Sequence, residues 1–147
     1  MRGKLTATCV ATTLGLTVGG CSAPAASAPQ PSAKSTVTSY FAAVGAHRWT
    51  QADALLSPSL EKKQSTAPDG DQENTLALTA VRLNINPAPF AQGEYPGFSD
   101  IQQALVTFDA RYKKVYGSTS GPQARFVYVG RQGAAGPWRI LGIGTGP

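Results

Sequence analysis

The second half of the chain contains four segments in which apolar and polar residues alternate, and this pattern constrains the fold more than any other feature. In the clearest segment, residues 106–113, every even position is apolar and every odd position is polar or charged. Successive side chains of a strand point to opposite faces, so the pattern predicts a strand with one face on a core. Residues 77–85, 125–131 and 138–143 also alternate, with glycine-containing loops between the last three segments. We therefore expect a meander of four antiparallel strands.

Helical periodicity precedes the strands. Apolar residues three and four positions apart predict a helix over residues 35–47. The stripe consists of Val37, Tyr40, Phe41 and Val44. A shorter helix is expected from residue 50 and one or two further turns over 59–64, whereas 67–74 is predicted to be a polar loop. Helices followed by strands predict one α+β domain over residues 35–147, with N-terminal helices packed on a four-stranded, mainly antiparallel sheet.

This order of elements resembles the nuclear transport factor two-like superfamily, in which a curved sheet wraps around N-terminal helices to form a cone. The resemblance rests on the Tyr40–Ala43 helix face, the Leu55-Leu56 pair and the ending Trp138–Gly146. Within the superfamily, the chain is similar to a bacterial lipoprotein family of unknown function. The superfamily includes isomerases, dehydratases, transport factors and binding modules, so the resemblance implies a fold and no particular reaction.

The first 20 residues predict a secretory signal peptide. Arg2 and Lys4 precede the uncharged, mainly apolar run Leu5–Val18, and small residues follow it. This run of about 14 residues is shorter than the roughly 20 that a membrane-spanning helix needs. We therefore expect residues 1–20 to be removed on export.

The segment Val18–Cys21 resembles the lipobox of bacterial lipoproteins. The resemblance implies lipid on Cys21, which would anchor the chain to the outer face of the cytoplasmic membrane, or to the periplasmic side where two membranes are present. The alternative is an ordinary signal peptide cut near Ala26 or Ala28. Residues 22–34 are rich in Pro, Ala and Ser and predict an extended tether of up to ~40 Å. The only other cysteine, Cys9, lies in the part expected to be removed.

Three polar residues are candidates for chemistry. His47 is the only histidine, and it would be a general base only if a carboxylate such as Asp109 oriented it. At the end of a predicted helix it is more simply a polar terminal residue. Asp109 and Arg111 share one face of the longest predicted strand, and we expect that face to be solvated because the opposite face is apolar. The residues offer no nucleophilic triad and no metal-ligand spacing, so we expect neither a metal nor a cofactor.

Two further motifs have a structural interpretation. Gly142, Gly144 and Gly146 would suit a phosphate-binding loop only if a helix began after them, and the chain stops at Pro147. We expect these glycines to pack closely against neighbours. The run Arg111–Lys114 is basic and contains an aromatic residue, but export argues against a nucleic-acid partner. Two interpretations remain: the run contacts an anionic bilayer, or it is a solvated strand edge.

The long segment Asn86–Asp100 is the main candidate for binding, because loops of this length are often functional. It carries three aromatic residues, Phe90, Tyr95 and Phe98. Together with Tyr40 they would line the cone mouth and contact a small apolar ligand or a partner protein. Alternatively, these aromatic residues close the open end of the cone. If Phe108, Tyr128 and Trp138 filled the interior of the cone, no space would remain for a small molecule.

The expected function is a non-catalytic ligand- or protein-binding module of the cell envelope. One alternative is a small isomerase or dehydratase that uses Asp109, His47 or both. Another is an envelope signalling accessory without a small-molecule pocket.

Overall fold

One antiparallel sheet of four strands organises the fold. The computed structural model describes residues 30–66, 71–114 and 119–146 of the 147-residue chain. Each strand pairs with the next in sequence, so the sheet order is β1-β2-β3-β4 and the sheet is not closed. The strands are β1 (Thr75–Pro87), β2 (Ser99–Tyr112), β3 (Gly121–Arg131) and β4 (Trp138–Gly144). The predicted meander is confirmed.

In the described part of the chain, four helices precede the sheet. They are α1 (Ala33–Gly45), α2 (Trp49–Asp53), α3 (Pro58–Thr66) and α4 (Asp71–Asn74). α1 begins two residues earlier than expected because Ser32 caps it: the Ser32 side chain accepts from the Ser35 amide, and the Ser35 side chain accepts from the Ser32 amide. This reciprocal capping satisfies amides that the first turn leaves unpaired. The α+β class predicted from the sequence is confirmed.

The main core lies between α1 and one face of the sheet, which we call the helix-covered face. The stripe predicted on α1 is buried there, against β2 residues that include Val106 and Phe108. Val127, Val129 and Ile140 extend this core across β3 and β4, and all three are fully buried. Each such side chain contributes roughly 1.5–3 kcal/mol relative to an exposed one.

A second core covers part of the opposite face, which we call the loop-covered face. The segment between β1 and β2 contains a 3₁₀ helix (Pro89–Gly93), and it places Ala88 and Ala91 on Ile101 and Leu141. The Ala88 amide donates to the Ile101 carbonyl at 2.8 Å, which fixes the start of this segment to β2. Tyr95, Phe98 and Tyr128 are partly buried in the same cluster.

Three details of the sequence prediction are corrected. β2 begins at Ser99, seven residues before the predicted alternation, because both faces of the sheet are covered there and the residues do not alternate cleanly. Tyr128 does not share a core with Phe108, since it lies in the cluster on the loop-covered face. Residues 71–74 of the predicted polar loop form α4, and residues 67–70 lie outside the described residues.

No helix within the described residues is both long enough and apolar enough to cross a membrane.

Candidate functional site

A groove runs along the outer side of β4. β3 and β4 pair regularly except at Leu141, an extra residue that produces a bulge between the Val129–Ile140 pair and the Tyr128–Gly142 pair. Bulges re-aim neighbouring side chains. Here two successive residues face the loop-covered side, because Leu141 is buried in the cluster there and Gly142 pairs with Tyr128 of the same cluster. Beyond the bulge, Gly142 and Gly144 leave the strand without side chains on the loop-covered face.

Tyr95 forms one wall of the groove. Its ring packs on that of Tyr128 with 5.7 Å between centroids. A Cβ atom added to Gly142 would lie 2.5 Å from the Tyr95 hydroxyl oxygen, so this close approach requires glycine. Burial, the negative charge of Glu94 and the neighbouring Tyr128 all raise the pKa of Tyr95 above its ordinary value of 10.0. Tyr95 therefore remains a neutral hydroxyl at physiological pH.

The helix α3 forms the other wall. The residues before it pair with β4 in a parallel bridge between Leu56 and Ile140. The Ile140 amide donates to the Leu55 carbonyl at 2.9 Å, and the Ser57 amide donates to the Ile140 carbonyl at 2.8 Å. Ser57 also caps α3, because its hydroxyl accepts from the Leu60 amide. These bonds hold α3 beside β4 without covering the end of the strand.

The groove has a volume of about 340 Å³ and a mixed polar and apolar lining. Leu60 and Lys63 contribute from α3, and Ser59 lies beside them. The titratable side chains that line it are those of Lys63, Tyr95 and Tyr128. Among the residues that the structure describes, no carboxylate and no imidazole lines this groove. The lining is suited to holding an occupant by packing and hydrogen bonding.

A second, smaller cavity of about 40 Å³ lies inside the main core, between α1 and the sheet. Tyr40 lines it, and its hydroxyl accepts from the Gln72 side-chain amide, which also donates to Gln64. Arg125 also lines it and is 96% buried, since its exposed fraction is 4%. The Arg125 guanidinium lies 5.9 Å from the Phe108 ring centre and donates to Gln123. This cavity can hold one or two water molecules but no larger molecule.

The structure does not bring all four predicted contact residues together. Tyr40 is buried in the main core, whereas Tyr95 and Phe98 belong to the cluster on the loop-covered face. Phe90 is 68% exposed, with its ring edge to face with Tyr128 at 6.4 Å. Of the four, Tyr95 lines the groove. Ile143 separates the groove from the inner cavity, because it lines both.

The predicted polar candidates lie on exposed surfaces. The His47 ring stacks on Trp49 at 5.2 Å, and its Nε2 atom hydrogen-bonds with the Leu76 carbonyl at 3.1 Å. Asp109 and Arg111 are both exposed, on the face of β2 opposite Phe108 and Ala110, as the alternation predicted. None of the three lines the groove or the inner cavity.

Cys21, the predicted signal peptide and residues 21–29 of the predicted tether lie outside the described residues. Within 30–66, 71–114 and 119–146, no group of three His, Cys, Asp or Glu side chains could hold a metal ion.

Sequence reasoning missed several residues of the site. Gly142 and Gly144 were expected to pack closely on neighbours, and Gly142 does, but their role as the groove floor depends on the bulge at Leu141. Lys63 and Ser59 carried no signal, since polar residues on a short helix are unremarkable. Arg125 lies on the same face as Val127 and Val129, and a buried arginine cannot be distinguished from an exposed one by alternation alone.

The fold and site define a small α+β domain with a groove beside an edge strand. A family model described as Domain of unknown function (DUF4829) matches residues 34–144, and the chain belongs to that family. Comparisons with curated proteins and with solved structures gave no match.

Proposed function

We propose that the protein is a lipid-anchored, extracytoplasmic binding module of the cell envelope, with the groove beside β4 as its binding site. The observation that carries this proposal is the groove itself: about 340 Å³, between α3 and Tyr95, on a floor of glycines. Ligand sites commonly have volumes of about 300–1,000 Å³. A groove of this size accepts a small ligand or a short stretch of a partner protein.

The groove lining favours binding over catalysis. General acid–base chemistry needs a proton donor or acceptor that titrates near neutral pH. Tyr95 has a raised pKa, and it stays protonated under those conditions. An isomerase or dehydratase would need Asp109 or His47 in a polar pocket, and both side chains are exposed elsewhere. We further propose a nuclear transport factor two-like domain, which the packing of N-terminal helices on one face of the sheet supports.

The anchor is tested separately from the groove. Lipid on Cys21 predicts that Cys21→Ala moves the protein from the membrane fraction to the soluble fraction and lowers its mass by the lipid. Cys9→Ala is the matched control, because residue 9 belongs to the segment expected to be removed, and it should leave both unchanged. Retention of Cys21→Ala in the membrane with unaltered mass would show that the anchor is wrongly assigned.

The groove is tested by filling it. A side chain at Gly144 would meet no atom closer than 3.6 Å at its Cβ, and one at Gly93 would meet none within 4 Å. Gly144→Leu should therefore fold and obstruct the groove, whereas Gly93→Leu should fold and leave it open. Mass spectrometry of the protein purified from its own membranes should show an occupant that is retained with Gly93→Leu and lost with Gly144→Leu. If the same material co-purified with the wild type, Gly93→Leu and Gly144→Leu, the result would favour an envelope accessory without a pocket.

A further inference from the structure

β4 is an edge strand whose outer side is only partly covered. Over residues 30–66, 71–114 and 119–146 the sheet ends at β4, and the parallel bridge to Leu56 occupies the outward-facing groups of Ile140. After Ser57 the chain turns into α3 and pairs no further with the strand within the described residues. An uncovered strand edge presents unpaired N–H and C=O groups in the spacing of an extended backbone.

The register identifies which residue presents these groups. Ile140 directs its amide and carbonyl away from β3, so the Val129–Ile140 pair is of the non-bonded type. Opposed residues in an antiparallel pair alternate between bonded and non-bonded types. Leu141 is the extra residue of the bulge, so Tyr128–Gly142 is the bonded pair and Val127–Ile143 the next non-bonded pair. The amide and carbonyl of Ile143 therefore face outward, at the groove that Ile143 lines.

We infer that the groove takes an extended peptide segment of a partner protein, which pairs antiparallel with Ile143 as a fifth strand. The inference rests on the proposed binding role of the groove and specifies its occupant. In an antiparallel pair, the backbone donor and acceptor of one residue are matched by the acceptor and donor of the single residue opposite it. A small apolar ligand would leave both groups without partners, at a cost in affinity.

The glycines and the two walls specify the side chains of the segment. Directly opposed residues share a face of the sheet, so the residue opposite Ile143 points its side chain toward the helix-covered face, where Leu60 of α3 lines the groove. A small residue fits there. Its neighbours point to the loop-covered face, where Gly144 has no side chain and Tyr128 offers an aromatic surface. A large apolar or aromatic neighbour would cover Gly144, as cross-strand aromatic residues do for glycine in sheets.

The recessed position of the edge disfavours a second copy of the chain. α3 rises on one side of Ile143 and Tyr95 on the other, so the exposed edge lies at the bottom of the groove. A second β4 would bring its own α3 and Tyr95 into the same space. A single extended strand is narrow enough to enter, since paired strands lie about 4.8 Å apart.

Capped peptides test the pairing directly. The probe is acetyl-Glu-Thr-Phe-Ser-Phe-Thr-Glu-amide, whose central serine is the small residue and whose acidic ends suit a groove that Lys63 lines. Two modified forms carry one N-methyl group, on the serine amide or on the following phenylalanine amide. The full chain should bind the parent and the phenylalanine-methylated form equally. The serine-methylated form should bind at least about tenfold more weakly, because its methyl group blocks the bond to Ile143.

A pair of protein variants tests the same bond from the other side. Ile143→Pro removes the outward amide, which an edge strand tolerates, whereas Ile143→Ala keeps it and removes side-chain packing. Calorimetric titration should show parent-peptide affinity retained within about threefold for Ile143→Ala and lost by at least about tenfold for Ile143→Pro. The folded state of each variant is checked by circular dichroism and by its unfolding midpoint.

The outcomes separate this inference from the proposed function. Equal affinity for all three peptides, with loss in Gly144→Leu, would mean that the groove binds without strand pairing, and the inference fails alone. No binding of the parent peptide at about 1 mM also refutes the inference. The comparison of Gly144→Leu with Gly93→Leu then decides whether the groove is a binding site. A dimer in sedimentation that Ile143→Pro abolishes would assign the edge to a second copy instead.

Discussion

Replacing Gly142 by alanine should dislodge Tyr95 from its position on β4. The added Cβ would lie 2.5 Å from the Tyr95 hydroxyl oxygen, whereas real Cβ contacts essentially never fall below 3.0 Å. The hydroxyl must therefore retreat by at least half an ångström. The ring cannot slide sideways freely, because it packs on Tyr128 within the cluster on the loop-covered face.

The magnitude follows from two opposing effects. Overpacking of this kind costs about 1–3 kcal/mol. Alanine restricts the unfolded chain more than glycine does, which returns about 0.4–1 kcal/mol. We expect the free energy of unfolding to fall by about 1–2 kcal/mol, and the midpoint of thermal unfolding to fall by about 3–10 °C for a domain of this size. The pKa of Tyr95 should also move down toward 10.0, because the displaced ring is better hydrated.

Urea unfolding and a spectroscopic tyrosine titration measure these two effects. Gly144→Ala is the control, since the nearest atom to its Cβ would be 3.6 Å away and no clash arises. Tyr95→Phe should rescue Gly142→Ala, because removal of the hydroxyl leaves the ring Cζ atom as the nearest Tyr95 atom at 3.5 Å. The double-mutant cycle should show a coupling of about 1 kcal/mol. Unchanged stability in Gly142→Ala, or a double mutant no more stable than Gly142→Ala, would refute the reasoning.

Three further predictions concern pH and backbone conformation. The folded state holds the Tyr95 proton more tightly than the unfolded state, because the pKa of Tyr95 is raised above 10.0. The stability that this proton contributes is complete below pH 10 and is lost as the pH rises through the folded pKa. In urea unfolding at alkaline pH, the wild type should therefore lose stability relative to Tyr95→Phe. Ala80 lies at φ 52°, so Ala80→Gly should raise the free energy of unfolding by about 0.5–1 kcal/mol, and a decrease would contradict the strain. Asp100 lies at φ 50° and pairs with Arg131 at 2.6 Å on a partly exposed surface. Calorimetry should show that Asp100→Asn lowers the free energy of unfolding by less than about 1 kcal/mol, because it removes only the ion pair. Asp100→Val should lower it by about 2–3 kcal/mol, because a branched side chain does not tolerate that φ.

The strands were predictable where one face of the sheet is covered and the other is solvated. Asp109 and Arg111 are exposed while Phe108 and Ala110 are buried, so the sequence alternates and shows the strand directly. The first half of β2 was missed because Ile101 is buried under the loop and Ala104 under α1. The two buried residues lie on opposite faces with the half-buried Gln102 and Gln103 between them, so apolar and polar positions do not alternate there.

The site was less predictable than the fold because it depends on one inserted residue. Tyr95 was identified from its place in a long aromatic segment, and it does line the groove. Tyr40 was grouped with it on resemblance to a cone, but the two lie in different cores. Nothing in a single sequence shows that Leu141 is unpaired, and this bulge is what turns Gly142 and Gly144 toward Tyr95 and Tyr128.

Stability and the proposed binding depend on the same residues in this domain. Tyr95 packs in the cluster on the loop-covered face and also forms the groove wall, so the wall exists only while the segment between β1 and β2 is docked. Gly142 permits that docking, and Gly144 leaves the adjoining space open. A large side chain at Gly144 would fill the groove at little cost to the fold, whereas one at Gly142 would damage both. Gly142 is required by its contact with Tyr95, whereas Gly144 has no comparably close neighbour within the described residues. Packing therefore does not require glycine at position 144, and the open space there is what we expect of a position that leaves room for an occupant.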